Sequence, residues 1–433
     1  MNIAVIGTGY VGLVTGACFA EFGNNVVCVD KDKEKLAQIQ SGIMPIYEPG
    51  LATVVEKNVR EGRLKFTSEV AEAVGDSLVV FLAVGTPPNG DGSADLSQIE
   101  HVALEIAKAM NGYKVIITKS TVPVGAAAHI KGIIDANRTG RHKFSIAANP
   151  EFLREGAAIN DFMRPDRVVI GCTDEEAIAI LKDLYRPLYL IETPIVITTP
   201  ESAEMIKYAS NAFLATKVSF INEIANLCDL LGADVHDVAK AMGMDKRIGA
   251  KFLHPGPGFG GSCFPKDARA LVALGLKVGY EVRIAKAAIQ VNELQRCVVN
   301  EKVKSLIPDL NGKCIAILGL AFKPETDDIR EAPSLKIIDD LQEHGATIRV
   351  FDPAASNVAR RVLKRVEFCA DEYDAAFGAD ALVLVTEWNQ FRNLDFDRLK
   401  SVMKSLNVVD LRNVYDPEAM KGLGFKYIAM GRG

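Results

Sequence analysis

No stretch of the 433 residues reaches the roughly 18 uninterrupted apolar residues that a helix needs to cross a bilayer, so no membrane span is expected. A surplus of positive charge is missing as well. Fifty Lys plus Arg stand against 55 Asp plus Glu, a formal net charge of -5, which leaves no basic field to gather nucleic acid or anionic lipid. Any anionic ligand must therefore meet a local basic site. The eight cysteines, at 18, 28, 172, 228, 263, 297, 314 and 369, include no C-x-x-C pair, and several lie in apolar runs such as NVVCVD and KCIAILGL. Reduced, buried thiols are expected rather than disulfides or zinc, and no metal centre is expected. The apolar start of the chain lacks a positive n-region and is broken by Gly7, Gly9 and Gly12, which argues against a secretory signal and for the cytoplasm. Low-complexity tracts and short internal repeats are absent.

What is present is the composition of an ordinary globular enzyme, with a length that implies two or three domains at roughly 100 to 200 residues each. From residue 1 to 199, β-branched runs alternate with amphipathic stretches: NIAVIG, NVVCVD, SLVVFLAVG, KVIITKS, FSIAAN, RVVIG and PIVITT. This pattern predicts a parallel sheet with helices on both faces. After Thr199-Pro200 the texture changes, and about thirty residues without Pro or Gly run to Gly232, predicting one long helix. Helical stretches at roughly 267–279 and 281–306 follow a Gly/Pro-rich loop. From Gly312 the strand texture returns with KCIAILGLAF, ATIRVFD, ALVLVTEW and LNVVDLRN. The expected fold class is α/β, with doubly wound parallel-sheet domains at 1–199 and 307–433 joined by a central long-helix domain at 200–306.

Gly7-Thr8-Gly9-Tyr10-Val11-Gly12 follows a strand and opens a helix, and the next strand ends in Asp30. Glycines here let the backbone approach a pyrophosphate, helix N–H groups supply its positive environment, and Asp30 accepts hydrogen bonds from the adenosine ribose. A carboxylate at that place repels a 2′-phosphate, favouring NAD over NADP, although Lys31, Lys33 and Lys35 stand close by. Gly85-Thr86-Pro87-Pro88 and Ser120-Thr121-Val122-Pro123 each follow a strand, where ligand-facing loops of a parallel sheet lie.

The densest constellation runs from Phe252 through Leu253, His254, Pro255, Gly256, Gly260 and Cys263 to Lys266 and Asp267. Its glycines and prolines exclude helix or strand interior, and helix resumes at Pro265. Cys263 is thus placed beside a helix N-terminus and near Lys266, both of which favour a thiolate nucleophile, while the glycines leave N–H groups and space for a bulky ligand. Lys207 and Asn211 are four residues apart on the long helix and share a face, a spacing that fits two solvated groups as well as an alkoxide clamp. Glu151 and Glu155, in NPEFLREG, suit general base work or helix capping equally. Lys323 and Arg330, in the loop after KCIAILGL, suit a nucleotide phosphate.

GTGYVGLV, VGTPP, KSTVPVG, NPEFLREG, AEMIKYASNAFLATKVSFINEI, FGGSCFPKD and LGLAFKPETDDIREAPS, in this order and nearly end to end, resemble the UDP-glucose and GDP-mannose dehydrogenase family. The resemblance implies two Rossmann-like domains and a four-electron, NAD-dependent oxidation of a nucleotide sugar's C6 alcohol to a carboxylate. RIGAKFLHPGPGFGGSCFPKD is similar to the branch acting on UDP-glucose; UDP-N-acetylmannosamine, GDP-mannose and a two-electron β-hydroxyacid oxidation are the alternatives. It further implies Cys263 as nucleophile, Lys207 and Asn211 as oxyanion partners, Asp267 as organiser of the hydrolytic water and Glu151 as acid-base residue. Thr121 and Glu155 are implied to line cofactor and water. Gly7, Gly9, Val11, Gly12, Asp30, Lys35, Thr86, Lys266 and Arg330 match the cofactor set. Glu151, Phe152, Leu153, Arg154 and Glu155, with Phe252 to Gly256, Gly260 and Lys323, match substrate contacts. The counterpart of Arg247 reaches a neighbouring subunit's substrate in relatives, which implies a homodimer through the central helix.

Overall fold

In the computed structural model, which describes residues 1–432, the alternation of apolar runs becomes two separate sheets. The first holds β1 (Asn2–Ile6), β2 (Asn25–Val29), β3 (Leu64–Thr67), β4 (Val79–Leu82), β5 (Lys114–Thr118), β6 (Phe144–Ala148), β7 (Val168–Gly171) and β8 (Ile195–Thr198). Their order is β3-β2-β1-β4-β5-β6-β7-β8. The strands from β1 to β6 pair in parallel, whereas β7 meets β6 antiparallel through Ala148 and Gly171 before β8 pairs with β7 in parallel. Strands β4 and β5 are buried at every position, as a sheet covered by helices on both faces requires.

The second sheet holds β9 (Cys314–Leu318), β10 (Thr347–Phe351), β11 (Val366–Phe368), β12 (Ala381–Leu384), β13 (Asn407–Asp410) and β14 (Lys426–Ala429). All its pairings are parallel, in the order β11-β10-β9-β12-β13-β14. Both sheets reverse their winding beside their first strand, between β1 and β4 and between β9 and β12. Open α/β sheets bind ligands outside the carboxyl ends of the strands at such a reversal.

The Pro- and Gly-poor stretch forms one helix of 32 residues, Pro200–Leu231. By packing, the chain divides into two compact units, Met1–Ser210 and the part from Asn211 onward, and the boundary falls inside this central helix. Its first turn is fastened to the first unit by Glu204, which accepts the backbone N–H groups of Gly125 (2.7 Å) and Ala127 (2.9 Å) where the helix Ala126–Asn137 opens. In the second unit its later turns meet the helix Arg283–Leu306, Ser219 donating to the Ala288 carbonyl and Asn226 to Gln295. Strands β3 and β11, of four and three residues, are too short for an apolar period to be legible in the sequence.

The thiols divide by environment. Burial pushes Cys18 and Cys28 up to about 12 and Cys369 to about 11, while Cys263 and Cys314 are half-buried and Cys297 exposed, so the expectation of buried thiols fails at those three. None of the eight forms a disulfide. Among the described residues no helix is long and apolar enough to cross a membrane, and no group of three or more His, Cys, Asp or Glu side chains is arranged to hold a metal ion.

Candidate active site

At the reversal of the first sheet, Gly7 follows β1 with φ +105°, and a Cβ there would press on the backbone of Ala83. A Cβ on Gly12, in the first turn of the helix Tyr10–Glu21, would press into the Gly7 carbonyl. Gly9 differs: its Cβ would meet nothing within 4 Å, so the absent side chain faces open space at the mouth of a cleft. That cleft, about 450 Å³, is also lined by Asp30, Lys35 and Gly85. The Asp30 carboxylate accepts the N–H (3.0 Å) and hydroxyl (2.6 Å) of Thr8 and the ammonium of Lys35 (2.9 Å). Burial opposes its charge, but these bonds outweigh burial and hold the carboxyl down at about 2. A fixed, ionised acceptor at the end of β2 beside an open glycine turn fits the ribose and pyrophosphate of NAD. Thr86 and Thr121 belong to neighbouring loops, the Thr86 hydroxyl donating to the Thr121 carbonyl at 2.9 Å. Val11 lies half-buried in the first turn of the adjacent helix.

After β6 the chain turns through Asn149 to Glu151. Its carboxylate accepts the Lys207 ammonium at 2.9 Å, with side-chain exposures of only 5% and 4%, and the Leu153 N–H at 2.5 Å. Lys207 also lies 5.4 Å from the centre of the Phe152 ring, whose face carries the Arg167 guanidinium at 3.6 Å. The spacing of Lys207 and Asn211 left a solvated pair open, but both are buried. Arg154 instead turns its guanidinium to Asp161. Glu155 is half-buried in the same loop, beside Gly156, whose N–H is bound by Tyr10 and Glu48.

In the second unit, Cys263 is the N-cap residue of the helix Phe264–Lys277, with Pro265 in its first turn. Its Sγ lies 3.5 Å from the Ser262 hydroxyl. One turn into that helix Asp267, wholly buried, accepts the Asn211 amide at 2.6 Å and the Lys266 ammonium at 2.6 Å. Lys266 therefore spends its charge on Asp267. The loop before Cys263 is held by three polar side chains for which the sequence offers no pattern. Asn222 accepts the Gly256 N–H at 2.8 Å, Gln295 donates to the Gly256 carbonyl at 2.9 Å, and Asn292 bridges both backbone groups of Phe259. A Cβ on Gly260 would press into the Glu331 carbonyl.

Within that loop Leu253 points into a small core with Ile221, Ala225 and Val235, so its side chain is packing, while His254 is exposed and Pro255 and Gly256 are buried. Phe252 takes a left-handed backbone, φ +66°, which costs a side-chain-bearing residue about 1 kcal/mol or more. Arg247 is 89% exposed and paired with Asp245 at 2.6 Å. Arg330 is bound to Asp328, and Lys323 sits over the Phe322 ring, both in the loop after β9. That loop is closed by Asp352 at the end of β10, the counterpart in this sheet of Asp30. Asp352 accepts five donors: the N–H groups of Leu320, Ala321, Ala354 and Ala355, and the Trp388 indole.

Three models of the UDP-glucose/GDP-mannose dehydrogenase family match the chain. They are its NAD binding domain over residues 1–189, its central domain over 201–294 and its UDP binding domain over 316–417. The chain is 50% identical over 436 residues to the UDP-glucose 6-dehydrogenase of Rhizobium meliloti, with all of both chains covered. Its fold is similar to the UDP-glucose dehydrogenase of the hyperthermophilic archaeon Pyrobaculum islandicum, at 39% identity and a TM-score of 0.90, covering 95% of this chain and 94% of that one. It is also similar to a UDP-D-ManNAc dehydrogenase from Pyrococcus horikoshii, at 28% identity and a TM-score of 0.88 over the whole of both chains.

Proposed function

The chain belongs to the UDP-glucose/GDP-mannose dehydrogenase family and oxidises UDP-glucose to UDP-glucuronate with NAD, and we propose that Cys263 carries the sugar through that reaction as a covalent adduct. The observation that supports this role is a half-buried thiol at a helix N-cap, one turn from a buried carboxylate bonded to Asn211. The higher identity to UDP-glucose enzymes than to the UDP-D-ManNAc enzyme favours the glucose branch.

Bound NAD supplies the hydride acceptor, twice per sugar, at the cleft of Gly9 and Asp30. The remaining chemistry belongs to side chains of this protein. The first oxidation leaves an aldehyde at C6. The Cys263 sulfur adds to that carbon, and the resulting oxyanion is met by the Lys207 ammonium and the Asn211 amide, one turn apart on the central helix. The second oxidation turns the thiohemiacetal into a thioester. Water then attacks the carbonyl as Glu151 accepts its proton, Asp267 holding that water in line, and the C–S bond breaks to return the thiol. The sum is RCH2OH + 2 NAD+ + H2O giving RCOO− + 2 NADH + 3 H+. A two-electron oxidation would stop at the aldehyde and need no thiol. Thr121, Glu155 and Arg330 line the cofactor side, and Phe252 to Gly256, Gly260 and Lys323 hold the nucleotide sugar in this reading.

The protein works as a homodimer in the cytoplasm in the same reading. Phe213 (65% exposed), Phe220 and Leu227 recur every seven residues along the central helix, and Leu276, Tyr280 and Ile284 are exposed as well. A stripe of that size on a soluble protein marks an interface. In the same reading Arg247, exposed and paired with Asp245, is the residue that exchanges that partner for the neighbouring subunit's substrate. Two NADH formed per UDP-glucose, with binding but no acid formation in Cys263→Ser, is the expected result; one NADH per sugar, or normal turnover of the variant, overturns the covalent role.

A further inference from the structure

Glu151 and Lys207 share their surroundings with a second ammonium. Lys119, directly after β5, is buried like both of them. Its Nζ donates to the Asn149 side-chain carbonyl at 2.9 Å and to the Tyr185 hydroxyl at 3.4 Å. Tyr185 in turn donates to the same Asn149 oxygen at 2.5 Å, and the Asn149 amide donates to the Val169 carbonyl at 2.7 Å. The cage is built of neutral acceptors. The charges facing Lys119 through space are those of Glu151 and Lys207. Asn149 lies two residues before Glu151, so the cage also fixes the backbone from which that carboxylate emerges.

Burying an ammonium among neutral acceptors is costly, and hydrophobic replacements of the same length would fill the space without that cost. A structural explanation thus accounts for the hydrogen bonds but not for the charge. We propose that Lys119 is a positioning residue for the oxidation, its caged positive charge keeping Glu151 in the carboxylate form that accepts the proton of the hydrolytic water. The proposal rests on the role given to Glu151 above. Lys119 is itself held near neutrality: burial drives its ammonium down to about 7, Glu151 opposing that fall and Lys207 adding to it. The added charge is therefore present below pH ~7 and fades above it.

The test is kcat against pH, from about 5 to about 9, for the full-length protein with UDP-glucose and NAD. Removing a positive charge lets a neighbouring carboxylate keep its proton to higher pH. Lys119→Gln should move the acidic limb up by about one pH unit while the KM for UDP-glucose stays within about twofold. Tyr185→Phe removes one acceptor and leaves the fold's packing intact, so it should move the limb the same way by less. It decides the matter if Lys119→Gln does not fold. Lys119→Arg should restore the wild-type acidic limb. Glu151→Gln separates the two ideas: loss of the limb there with no movement in the Lys119 and Tyr185 variants overturns this proposal alone. A limb unchanged in Glu151→Gln overturns the role of Glu151 and the proposal with it.

Discussion

Replacing Lys207 by Met should destabilise the protein by about 3 kcal/mol, apart from any effect on turnover. At 2.9 Å the Lys207–Glu151 attraction is about 6 kcal/mol at an effective dielectric constant of ~20, and removing one partner of a buried pair costs about 3 to 5 kcal/mol because the other charge is stranded. The lower end applies here, since Glu151 keeps the Leu153 N–H at 2.5 Å and the through-space charge of Lys119. The double variant Lys207→Met with Glu151→Gln strands neither member of the pair, and Lys119 loses an attractive and a repulsive neighbour together, so it should return to within about 1 kcal/mol of the wild type. Urea unfolding followed by far-ultraviolet circular dichroism, without nucleotide, measures both. A single variant within about 0.5 kcal/mol of wild type, or a double variant no more stable than the single, would refute the claim that these charges are buried against each other.

The two glycines of the first turn should behave in opposite ways. Gly9→Ala, whose methyl meets no protein atom, should melt at the wild-type temperature yet bind NAD at least about tenfold more weakly, by calorimetric titration. Gly12→Ala forces a methyl into the Gly7 carbonyl and should lower the melting temperature by several degrees, about 2 kcal/mol or more. Asp30, with its carboxyl held down at about 2, stays ionised through every working pH, so its contribution to NAD binding should be constant from about pH 8 to about 5, and Asp30→Ala should raise the Kd about tenfold throughout. Phe220→Glu places a charge on the exposed stripe of the central helix and should give a monomer by light scattering after size exclusion.

Much of this architecture was legible because parallel strands covered on both faces read as unbroken apolar runs: VVFL and KVIIT lie wholly buried in the first sheet. The central helix was legible from the absence of breakers, and the structure carries it through all 32 residues. The reversal of β7 was not, because direction is set by the connection through Glu151 to Asp166 rather than by the strand itself. Likewise Asn222, Asn292 and Gln295 sit at ordinary helical positions, and nothing in their spacing betrays that they grip the backbone before Cys263. Lys119 was visible only as one letter of KSTVPVG, since burial of an ammonium is a property of the packed sheet.

Asp30 and Asp352 stand at the same place in two copies of one winding plan, yet the first, though it accepts four donors, still lines an open cleft, while the second is buried beneath its five. This asymmetry limits redesign of the second sheet. Restoring a glycine turn after β9 would not create a second dinucleotide site, because the carboxylate needed to grip a ribose is already the clasp that shapes the turn. Freeing it would leave buried N–H groups without acceptors, at about 1 to 3 kcal/mol each. The plan of the sheet can be copied freely, but the direction in which one carboxylate points decides which ligand each copy can take.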